Sequence, residues 1–117
     1  MRVPGISKRA VARIREAWAN LPAHERDNWI AVISEEGDVK PIGRSMNVQV
    51  IRYPVMGWYE RDQIPRNLTR ACDGIDIAFN FDDSAIQLHQ SHIVDYIDGR
   101  LAWVEATGVE TDGAEPE

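Results

Sequence analysis

The chain has one cysteine, no long apolar run and a single basic residue after position 70, and each scarcity narrows what it can be. Cys72 alone excludes an internal disulfide framework and suits a reducing compartment. No apolar stretch approaches the roughly 20 residues a membrane-spanning helix needs. The opening MRVPGISKRA also lacks the apolar core of a secretion signal, so the expected location is cytoplasmic, with no membrane partner. In that setting the glycosylation triplet Asn67-Leu68-Thr69 carries no weight. Absent too are a G-x-S-x-G elbow, a phosphate-cradling glycine loop, an H-E-x-x-H pair and any internal repeat.

The chemistry-bearing residues that remain are scattered. Cys72 stands next to Asp73 and lacks the electropositive surroundings of a reactive thiol. Asp82-Asp83 precedes Ser84, as turn and capping residues do. His89, His92 and Asp95 are spaced three apart, which on a strand or tight turn sends them to different faces, and His24 stands alone. No catalytic residue, metal ligand or cofactor is assigned, and the chain is read as a non-enzyme.

Charge is unevenly distributed. Residues 1–70 hold 12 Lys/Arg against 8 Asp/Glu, residues 71–117 hold 1 against 11, and the net charge is −6. Such asymmetry can mark one surface for anionic partners and another for cationic ones.

His92–Glu105 is the most legible stretch. Asp98-Gly99 supplies the two positive φ angles of a type I′ turn and so sets a β-hairpin pairing Ile97 with Arg100, Tyr96 with Leu101, Asp95 with Ala102 and Val94 with Trp103. Its Val94, Tyr96, Leu101 and Trp103 face is apolar; Asp95 and Arg100 mark the other face as polar. Ile75–Phe81 alternates as a strand, with Ile75, Ile77, Phe79 and Phe81 on the buried side. Residues 82–91 fit either a further strand or a helix capped by Asp82, Asp83 or Ser84, and the strand is preferred because the helix comes at the expense of the Asp-Gly hairpin.

Toward the N-terminus, Ser7 caps a helix over Lys8–Asn20 whose Val11, Ile14, Trp18 and Leu21 form one stripe. A second helix is expected from Pro22, with Glu25 and Asp27 near its start, presenting Trp29, Ile30 and Ile33 and stopping at Gly37. Residues 38–45 read as loop, Met46–Tyr53 as a strand ended by Pro54, residues 54–60 as an apolar aromatic loop, and Pro65–Cys72 as a short helix. The expected fold class is α+β: an N-terminal αα-hairpin packed on a mainly antiparallel sheet of about four to five strands that ends in the Asp-Gly β-hairpin. Residues 1–106 form a single domain, and 107–117 an acidic, disordered tail.

The span ISKR…W..L…E…WI, residues 6–30, resembles the second and early third helices of an HMG box. The basic N-terminal strand and wedge residues of that family have no counterpart here, a sheet is expected where its long third helix would run, and no function is carried over.

Two surfaces follow. The aromatic loop offers Tyr53, Met56, Trp58, Tyr59 and Arg61, residue types enriched where proteins dock. This supports a small non-enzymatic protein-binding module, an inhibitor or adaptor of the mobile-element or phage kind, acting by protein contact or by acidic nucleic-acid mimicry. The alternative is a nucleic-acid-binding protein using Lys8, Arg9, Arg13 and Arg15 on the first helix. A metal-dependent or small-ligand enzyme comes last. Exposed strand edges also leave a homodimer open.

Overall fold

The computed structural model describes residues 4–41, 43, 48–106 and 111–112. The chain is mostly strand, with one helix of more than two turns. In order the elements are β1 (Gly5–Ser7), α1 (Lys8–Ala19), β2 (Trp29–Pro41), β3 (Val48–Glu60), β4 (Thr69–Cys72), β5 (Ile75–Phe79), α2 (Asp83–Leu88), β6 (His92–Ile97), β7 (Arg100–Glu105) and β8 (Thr111–Asp112). Single 3₁₀ turns occupy Arg26–Asn28, Arg61–Gln63 and Arg66–Leu68. The strands form two four-stranded sheets, ordered β7-β6-β1-β8 and β3-β2-β5-β4. The β1–β6 and β2–β5 pairs are parallel and the others antiparallel. Among the described residues, no helix is long and apolar enough to cross a membrane.

The first helix forms as its pattern requires. Ser7 Oγ accepts from the Ala10 N–H at the N-cap, and Ala10, Val11 and Ile14 are buried. The expected αα-hairpin does not exist. After Asn20 the chain passes through turns and enters β2 at Trp29, so the local resemblance to an HMG box ends where that family's third helix would begin. The reason is the run Trp29-Ile30-Ala31-Val32-Ile33, which is buried on both faces and therefore has neither helical nor alternating polarity. Ala31 and Ile33 face the main core with Met56 and Trp58, whereas Ile30 and Val32 join Ala78 in a second cluster under Ile64 and Leu68. Its β-branched residues suit the pleat better than a helix.

Four further expectations change. Residues 38–41 continue β2 and are not loop. Pro54 does not end its strand: it pairs with Glu35 inside β3, an edge strand, where a missing N–H is tolerated. The aromatic loop is therefore strand, while Met46, where the strand was expected to start, lies outside the described residues. Pro65–Cys72 is one 3₁₀ turn followed by β4. Residues 83–88 are helical, with Asp82 Oδ1 accepting from the Ala85 N–H, and this short helix coexists with the hairpin after it. The tail expected over 107–117 lies outside the described residues except for β8, which pairs with β1.

The hairpin itself has the expected register throughout, with Asp98 and Gly99 at φ 54° and 84°. A second turn of the same chemistry, Asp73-Gly74 at φ 51° and 87°, joins β4 to β5. Asp95 departs from its expected polar face: it is buried, because β1 runs parallel beside β6 and brings Ser7 and the start of α1 over it.

Candidate functional site

The β2 and β3 strands pair over thirteen residues each, from Trp29 opposite Glu60 to Pro41 opposite Val48. On its other edge β2 is paired with β5 only at Ala31–Ile33. Beyond that point, residues 35–41 and 48–54 form a two-stranded arm of roughly 20 Å at the usual rise per residue. The molecule is correspondingly long, 53 × 30 × 27 Å. On the face that carries Ile33 and Met56 nearer the body, the arm presents Val39 opposite Val50, exposed by 64% and 55%. Its opposite face carries Glu36 beside Tyr53 and Asp38 beside Ile51. The Tyr53 phenol is pushed above its usual pKa, chiefly by desolvation and then by Asp38 and Glu36.

At the arm's base lies a buried polar cluster. Glu35 Oε2 is 2.5 Å from His89 Nε2, and Glu35 Oε1 accepts from Arg52 Nη1 at 3.2 Å. His89 is buried, lies flat on Trp103 with ring centroids 3.8 Å apart, and meets His92 through Nδ1 atoms 3.3 Å apart. A polar cleft of about 340 Å³ adjoins it, lined by Ser34, Glu35, Glu36, Arg52 and Asp82 among others. Sequence spacing singled out His89 and His92 but offered no partner, since Glu35 is more than 50 residues away and fell in the expected second helix. Asp95 does not join these histidines. Among the described residues no group of three or more His, Cys, Asp or Glu is placed to hold a metal ion, and Cys72 is fully buried.

The five residues expected to form a docking loop do not converge. Met56 and Trp58 turn inward onto the main core. Tyr59 points to the other face of the sheet and is half exposed. Tyr53 belongs to the arm. Arg61 sits in a broad, acid-rich groove but donates to Asp76 Oδ2 at 3.0 Å and to the Asp27 carbonyl at 3.1 Å.

The basic residues of α1 are similarly engaged, Lys8 apart, which is exposed. Arg9 forks onto Asp95, Nε to Oδ1 at 2.7 Å and Nη2 to Oδ2 at 2.6 Å. Arg13 donates to Tyr96 Oη and Glu16, and Arg15 to the backbone carbonyl and carboxylate of Asp73. Asp95 also accepts from Ser7 Oγ and the Tyr96 N–H. The Arg9 guanidinium, helped by Ser7 and the Tyr96 N–H, overrides burial and holds the Asp95 carboxyl at about 2. This carboxylate also supplies negative charge at a helix N-terminus whose own first turn contains none.

Comparison with protein-family models, with curated proteins and with solved structures finds no match to this chain.

Proposed function

We propose that this chain is a non-enzymatic protein-binding module, an inhibitor or adaptor, and that its β2–β3 arm is the element that docks. The observation that supports this reading is the cross-strand pair Val39–Val50, two β-branched apolar residues more than half exposed on an arm whose outer edges carry no strand among the described residues. Unpaired strand edges recruit extended segments by main-chain hydrogen bonding, with side-chain pockets adding specificity. The partner this arm fits is an extended segment with small or branched apolar residues over Val39 and Val50 and basic residues toward Glu36 and Asp38. Engagement of Arg9, Arg13 and Arg15 by internal acids weighs against a phosphate-binding α1, because a phosphate contact by any of these three competes with an existing ion pair and leaves only Lys8 uncommitted among the described residues of that helix.

The test is capture from nuclease-treated lysate of the source cells on immobilised full-length chain, beside the Val39→Asp/Val50→Asp double variant. A polypeptide retained by the parent and lost by the variant at both low and high salt supports the arm as the docking element. Equal retention by both would remove the arm from the account, and retention that required nucleic acid would return α1 to the front.

A further inference from the structure

The hydrogens in the cluster at the arm's base can be counted. An ionised carboxylate only accepts, so the Glu35 contact places a hydrogen on His89 Nε2. The Nδ1-to-Nδ1 contact at 3.3 Å has room for one hydrogen and needs one, since two bare lone pairs would repel. His92 Nε2 lies 3.5 Å from Glu105 Oε2 and carries a hydrogen when that ion pair is made. The two rings then hold three hydrogens on four nitrogens, which is one positive charge shared between them. Removing the third leaves the inner chain from Glu35 through His89 to His92 intact and affects only the exposed Glu105 contact. Adding a fourth sets two N–H groups head to head.

We infer that His89 and His92 form an acid-released clasp: closed with two or three ring hydrogens, opened by the fourth, and coupled to the turn joining α2 to β6 beneath the arm. Glu35 and Glu105 each face one ring and pair the charge it carries, so what opposes the fourth hydrogen is the meeting of two Nδ1–H groups with no acceptor between them. Glu35 approaches from β2 with Arg52 of β3 behind it, Glu105 from β7, and Glu36 and Asp82 line the adjoining cleft. Trp103 of β7 covers the face of His89 and offers its Nδ1–H no acceptor. His89 is 6% exposed and cannot turn to water in place, so His92, whose side chain is 29% exposed, is the ring that leaves. The turn it leaves is closed by the His92 N–H donating to the His89 carbonyl at 3.0 Å. The clasp is intrinsic to the chain and stands whether or not the arm docks a partner.

The experiment is NMR of the full chain with ¹⁵N-labelled histidine rings, from about pH 8 to about pH 4.5, with amide hydrogen exchange followed in the same samples. The expected result is that His89 and His92 report the same proton steps, that the last step raises exchange at the His92 amide about tenfold beyond its intrinsic pH dependence, and that the His89 ring-current shift on His92 is lost with it while His89 keeps the shift from Trp103. In His92→Gln the opposing imidazole is gone and the acid step in exchange disappears. Rings that titrate independently with no extra change at the His92 amide would overturn the inference, as would an acid step that survives in His92→Gln. The wild-type titration decides alone should that variant fail to fold.

Discussion

The near and far halves of the β2–β3 ribbon share two strands, one register and the same alternation, yet they live in different solvents. Near the body, Ile33 opposite Met56 is sealed into the main core; six residues further along β2, Val39 opposite Val50 stands in water on the same face. Backbone pairing runs through both halves without a break, so ribbon length is set by cross-strand hydrogen bonds and not by the extent of the core. A two-stranded ribbon alone is marginal in water, so the far half borrows its order from the near one. Glu35, held by His89 and Arg52, marks the boundary.

The contrast sharpens most under Ile33→Ala, which empties a fully buried site and is expected to destabilise the chain by about 2–5 kcal/mol in denaturant unfolding. Asp95, which pins the start of α1 to β6, comes next. Its carboxyl is held at about 2 against an ordinary 3.8, so its contribution is complete above the ordinary value and is lost as pH falls through about 2. Asp95→Asn is expected to destabilise by about 2 kcal/mol at neutral pH and to flatten that acid loss, which unfolding curves at a series of pH values would show. At the boundary, Glu35→Gln removes the negative charge and leaves one carbonyl oxygen for two donors, His89 and Arg52, and should cost about 1–2 kcal/mol, with amide exchange faster in residues 35–41 than in 29–33. Smallest is Val39→Thr/Val50→Thr, expected to leave stability within about 0.5 kcal/mol while weakening partner retention. If that pair were as costly as Ile33→Ala, the far half would have a hidden cover and the comparison would fail.

What could be read in the residues alone follows the strength of local signals. Ser7 and its apolar stripe give α1, and Asp98-Gly99 gives the hairpin to the exact pair, because both rest on contacts within a few residues. Asp73-Gly74 carries the same turn signal, but it is masked where Pro65–Cys72 also fits a short helix and leaves no strand for the turn to join. The second helix fails on different grounds: a strand buried on both faces has no periodicity to show, and Trp29–Ile33 satisfies helical spacing by being apolar everywhere. With that run as a helix, the ribbon divides into a helix, a loop and a shorter strand, and the arm is hidden. The cluster at its base was out of reach for the same reason, since His89 finds Glu35 only when β2 and the α2–β6 corner have been placed side by side. The arginines of α1 were legible as basic but not as spent, because Asp95, Tyr96 and Asp73 reach them from elements more than 50 residues away.

The central claim, that the far half of the ribbon is a docking arm, is met most directly by hydrogen exchange of the full chain with and without the polypeptide it captures. The account predicts slowed exchange along residues 35–41 and 48–54, where strand edges gain a partner, with little change over Lys8–Ala19. Protection confined to α1, with the arm exchanging as fast as in the free chain, would contradict it.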